Sequence, residues 1–143
     1  MDGGVRDLSG YRIRQAEEML DAARANYDIG QFKTSLNRSY YAVFHSMRAV
    51  NVLDGFDSSK HSGVIAHFNQ YYIKTGKLDV GLSSIIKSSY YLREKSDYDD
   101  FYVASRGDAD SQLHNAEIFI KAVREYLDAV PSGQADEHPK EAK

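Results

Sequence analysis

The sequence predicts an all-α fold, an antiparallel up-and-down bundle of four to five helices. Three observations predict it. Apolar residues recur at three- and four-residue steps through four long segments, the signature of helices with one buried stripe. No segment alternates apolar and polar residues as a half-buried strand would. Both prolines fall at or beyond residue 131, so nothing breaks these segments from within.

The elements follow in order. Residues 1–8 are Gly-rich and polar and are expected to be flexible, with Ser9 capping a first helix over Tyr11 to Tyr27. Its stripe is Ile13, Ala16, Leu20, Ala23 and Tyr27. A second helix is expected from Gln31 to Leu53, closed by Asp54-Gly55, and a short third from Lys60 to Tyr72. Leu82, Ile85, Ile86, Ser89 and Leu92 mark a fourth over Val80 to Glu94. A polar, aromatic loop, 96–106, should follow, with Tyr98 and Phe101 pinned to the bundle and Arg93 paired to Asp97. The last helix should start near Gly107 or Asp108, carry Leu113, Ala116, Ile120, Val123 and Leu127, and stop at Pro131. The bundle thus occupies residues 9–130, and residues 131–143 form a polar tail expected to be disordered.

Composition excludes several functions. At 143 residues the chain can bury a core without covalent staples. With no cysteine there can be no disulfide, thiolate nucleophile or Cys-based zinc site. A net charge of −3 argues against coating nucleic acid by bulk attraction, so any such contact needs a local basic pocket. No stretch approaches the roughly 20 apolar residues of a membrane span, and the N-terminus lacks an apolar signal core. A cytoplasmic protein without membrane association is expected. His61 and His67 have no carboxylate at metal-ligand spacing, and no Gly-rich phosphate loop is present. Neither a metal nor a cofactor is expected.

The second helix carries the chemistry. At 100° per residue, Leu36, Tyr40, Val43 and Met47 share one side. Arg38 lies about 200° and His45 about 180° from Leu36, so both are expected on the opposite face. Tyr41, Ala42, Ala49 and Val52 are expected around them. A solvated face would hold Lys, Glu and Gln, and this one does not. A second copy of the chain is the simplest cover, making Arg38, Tyr41, Ala42, His45, Ala49 and Val52 a homodimer interface. An arginine can clamp a phosphate while keeping its charge, and a histidine exchanges a proton near neutral pH. The pair could therefore support metal-free RNA cleavage, with His45 taking the 2′-hydroxyl proton and Arg38 stabilising the crowded phosphate. Arg48, at the edge of this face, could add phosphate affinity or pair with a carboxylate. His61, at a helix start beside Lys60, could assist phosphate binding or cap locally.

Several stretches also resemble the HEPN family (higher eukaryotes and prokaryotes nucleotide-binding domain), especially its small stand-alone prokaryotic members. They are Tyr11-Arg12-Ile13-Arg14-Gln15-Ala16-Glu17-Glu18, Asn37-Arg38-Ser39-Tyr40-Tyr41-Ala42-Val43-Phe44-His45, Lys60-His61-Ser62-Gly63-Val64-Ile65, Tyr72-Ile73-Lys74-Thr75-Gly76 and Leu92-Arg93-Glu94-Lys95-Ser96-Asp97-Tyr98. The resemblance spans about residues 9 to 128. It implies a usually dimeric bundle with the family's Arg–four to six residues–His motif, here Arg38 and His45, at the interface. It implies a metal-independent endoribonuclease, the toxin partner of a minimal nucleotidyltransferase antitoxin. The alternative it leaves open is a non-catalytic dimerising or nucleotide-binding partner of a nucleotidyltransferase. Ser39, Tyr41, Arg48 and His61 are then candidate substrate contacts. The sequence departs from the family at two places. Met47 stands where some members carry a tyrosine that the antitoxin modifies with AMP. Ser39 follows the motif arginine where Asn, Asp or His is common.

Overall fold

The computed structural model describes residues 2–130, and the expected tail at 131–143 lies outside them. Five α-helices run α1 (Asp2–Asp28), α2 (Phe32–Asn51), α3 (His61–Phe68), α4 (Gly81–Tyr98) and α5 (Arg106–Ala129). A 3₁₀ turn, Val52–Asp54, extends α2, and a π-helical turn, Asn69–Ile73, extends α3. No strand occurs among the described residues. The all-α bundle is as the periodicity predicts.

Helix α2 is the central element and contacts each of the other four. Its deepest residues, Tyr40, Val43, Met47 and Val50, meet Phe68, Tyr72, Phe119 and Val123 in a core from which water is excluded. Burying each of the larger of these side chains contributes about 1.5–3 kcal/mol. A separate line on α2, Ser35-Ser39-Ala42-Ser46-Ala49, consists of small residues at heptad spacing, all fully buried. On α1, Ser9, Ala16 and Ala23 are likewise buried and seven residues apart. Small side chains on both helices let the backbones approach closely enough for direct bonds. Ser9 Oγ donates to the Ala49 carbonyl at 2.7 Å, and Ser35 Oγ donates to the Ala23 carbonyl at 2.9 Å.

The helix ends differ from expectation in two places. Helix α1 begins at Asp2, so residues 2–8 are helical and Ser9 lies mid-helix, not at a cap. Tertiary contact overrides the poor helix propensity of Gly3 and Gly4: Arg6 Nη2 donates to the Val130 carbonyl at 2.9 Å, tying this first turn to the end of α5. Helix α4 continues to Tyr98, shortening the expected loop. Helix α5 starts where the sequence suggests, with Ser105 Oγ accepting from the Asp108 amide at 3.0 Å.

Candidate functional site

Between Arg38 and Arg48, α2 is sealed except along one line. Arg38, Tyr41, His45 and Arg48, spaced by three, four and three residues, are its only half-buried positions in that interval. The groove along this line is bordered by Arg12 of α1, by Asp57, by His61 at the start of α3 and by Arg93 of α4.

At the C-terminal end of the line, Asp57 holds two arginines. Its Oδ1 lies 3.0 Å from both Arg12 Nη1 and Arg48 Nη2. Gly55, in the left-handed region at φ 80°, turns the chain after Asp54 so that Asp57 reaches back to them. The Arg12 hydrogen bond, more than that of Arg48, holds the Asp57 carboxyl below the usual carboxylate range. Two guanidiniums against one carboxylate leave a net positive charge at this end.

His45 sits at the middle of the line with Nδ1 buried and unbonded among the described residues. Burial first, then the positive charges of Arg48 and Arg12 and the neighbouring His61, push its pKa down from 6.5 to about 4. At neutral pH it is an uncharged imidazole able to accept a proton. Arg38, one helical step of seven residues earlier, is about 10.5 Å away along the axis. Its guanidinium bonds only to the adjacent Asn37 side chain, at 2.6 Å, among the described residues.

An aromatic cluster forms the opposite wall. Tyr41 lies against both imidazoles, with ring centroids 6.0 Å from His45 and 5.8 Å from His61. Phe44 also touches both, at 5.6 Å and 4.4 Å. Tyr40 is buried beneath, and its hydroxyl is 2.7 Å from His61 Nδ1. Arg93 lies over the rings of Tyr40 and Tyr41, bonds the Tyr41 hydroxyl at 3.4 Å and pairs with Asp97 at 3.0 Å, the pairing the sequence suggested.

Comparison with known proteins places the sequence in a family. The HEPN domain model matches residues 9–126, which include every residue of the groove. The chain belongs to the HEPN family. Among relatives of this HEPN protein, two from Methanocaldococcus jannaschii are each 32% identical to it. "Putative toxin MJ0142" aligns over 80% of this chain and 78% of its own length, and "Putative toxin MJ0605" over 86% and 91%. A protein named UPF0332 from Thermotoga maritima is 30% identical over 82% of this chain and 89% of its own length.

The groove gathers Arg38, Tyr41, His45, Arg48 and His61, but four other expected residues do not reach it. Ala42, Ala49 and Val52 are 0%, 0% and 4% exposed, packed within the subunit, so they have no surface to offer a second copy. Ser39 is 0% exposed on the line facing α1 and cannot touch a substrate. Helical angles alone put Ala42, Ala49 and Val52 on the open face because small apolar residues are compatible with either side, and Ser39 enters only through its place after the motif arginine. The heptad of small residues on α2, matched by Ser9, Ala16 and Ala23 on α1, is the signal that identifies them as helix contact. Arg48 takes the carboxylate-pairing option, and His61 bonds to Tyr40. Tyr98 and Phe101 are not pinned: they are 71% and 94% exposed. Arg12 and Asp57 were missed because they meet α2 only through tertiary structure. Among the described residues, no helix is long and apolar enough to cross a membrane.

Proposed function

We propose that this HEPN protein is a metal-independent endoribonuclease acting as a homodimer, the toxin of a module whose antitoxin is a minimal nucleotidyltransferase. One observation carries the reading: the single partly open line of α2 between residues 38 and 48 holds an arginine bonded only to its neighbour Asn37 among the described residues and a histidine kept neutral. The names of two relatives as toxins support the biological setting.

In the cleavage, His45 accepts the 2′-hydroxyl proton. The 2′-oxygen attacks phosphorus and the bond to the 5′-oxygen breaks. The products are a 2′,3′-cyclic phosphate and a 5′-hydroxyl, the leaving oxygen taking a proton from solvent. Arg38 stabilises the doubly charged phosphate as it forms. The exposed apolar side chains Tyr91, Tyr98, Phe101 and Val103, on both sides of Arg93 along α4 and in its following loop, supply surface for the second copy.

The test is expression of the wild type and His45→Ala, with growth and RNA integrity followed and cleavage repeated in EDTA. Growth arrest and cleavage by the wild type alone are expected. A wild type that leaves RNA intact overturns the nuclease reading and favours the non-catalytic nucleotidyltransferase partner. One observation already favours that second reading: Asp57 engages both Arg12 and Arg48, two of the groove's cations.

A further inference from the structure

His61 was not needed for the cleavage above, yet the fold invests a buried tyrosine in holding it. Tyr40 is 1% exposed, and its hydroxyl proton needs an acceptor. Among the described residues, the one acceptor bonded to it is His61 Nδ1, at 2.7 Å. Had Nδ1 carried the proton and donated instead, the buried hydroxyl hydrogen would face no acceptor. The bond is therefore Tyr40 Oη–H to Nδ1, which leaves the proton of the neutral ring on Nε2. Stacking of His61 on Tyr40 and its tilted contact with Phe44, with centroids 5.5 Å and 4.4 Å apart, fix the ring plane as well.

The groups facing His61 keep it uncharged. Burial and Arg93 lower its pKa, opposed by Glu94, while Tyr41 packs edge-on and His45 lies within electrostatic range. Two imidazoles thus share the Tyr41–Phe44 wall, one able to accept a proton and the other presenting a fixed N–H.

We propose that His61 is a phosphate ligand of the same site, donating Nε2–H to a non-bridging oxygen of the RNA phosphodiester, and that Tyr40 is the positioning residue that orients it. This rests on the nuclease reading for its substrate, but the hydrogen-bond arrangement stands apart from activity. No proton is transferred. The donor meets charge that grows in the transition state, where a single preorganised donor is worth most.

Long-range proton–nitrogen NMR on the full chain tests the arrangement directly. At neutral pH the His61 proton should reside on Nε2, and inorganic phosphate should move that nitrogen's resonance. Tyr40→Phe keeps the packing and removes the donor, so His61 should titrate at higher pH than in the wild type. A proton on Nδ1, an Nε2 resonance indifferent to phosphate, or an unchanged titration in Tyr40→Phe would each overturn the proposal. In cleavage assays His61→Ala should lower kcat by roughly a hundredfold. His61→Gln, whose amide can place an N–H near the Nε2 position, should recover most of that loss, and equal losses in both variants would defeat the donor role. A wild type inactive on RNA that still shows the phosphate response would discard the nuclease reading and leave the His61 anion site standing.

Discussion

Helix α2 presents two lines of residues with opposite fates, and both are spaced as a helix requires. Ser35, Ser39, Ala42, Ser46 and Ala49 are small and vanish against α1. Arg38, Tyr41, His45 and Arg48 are large and polar-tipped and remain partly open. The first line brings two backbones together and has no room to change. The second borders a groove whose walls come from three other helices and the loop holding Asp57, so its side chains can be replaced without collapsing the bundle. Stability and chemistry are thus divided between adjacent faces of one helix.

The sharpest way to test this division is to strike each line in turn. His45→Ala should reduce RNA cleavage by about 10²- to 10⁴-fold, the usual contribution of a general base, with the thermal midpoint unchanged or raised. A large loss of melting temperature in that variant would make His45 structural and erase the contrast. On the sealed line, Ala42→Leu should cost about 1–3 kcal/mol by overpacking against α1, measured by denaturant unfolding. A neutral outcome would mean that α1 can back away and that the small-residue line sets nothing. The smallest of these effects is expected from Ser9→Ala, which removes the bond to the Ala49 carbonyl and should cost about 1 kcal/mol.

Acidity offers a further separation. The folded-state pKa of His45 is lowered to about 4 from 6.5, so between those values the unfolded chain binds a proton that the folded chain refuses. The corresponding stability is present above pH 6.5 and is lost as pH falls toward 4. Unfolding midpoints compared at pH 7 and pH 4.5 should therefore differ less in His45→Ala than in the wild type. An equal difference in both chains would remove burial of the neutral ring as the cause.

Much of this was legible in the sequence, and the gaps have physical causes. Periodicity located all five helices because long apolar stripes leave little choice of secondary structure. It failed at residues 2–8, where Arg6 reaching Val130 outweighs two glycines. The Arg38–His45 line could be read from helical angles alone. Assigning Ala42, Ala49 and Val52 to the same open surface failed because an isolated alanine or valine does not mark which side of a helix is buried. Asp57, Arg12 and Tyr40 acquire their roles from partners 45, 45 and 21 residues distant, a relation no local pattern encodes.

The turn at Gly55 has a wider reach than its size suggests. Its φ of 80° is one that a side-chain-bearing residue adopts only under strain, although no neighbouring atom would obstruct a Cβ there. Backbone handedness at that single point therefore governs whether a carboxylate arrives between two guanidiniums beside His45. A methyl group placed there would strain the turn that brings Asp57 between Arg12 and Arg48, the two arginines whose charge His45 feels, so the electrostatics of the groove rest partly on chain geometry.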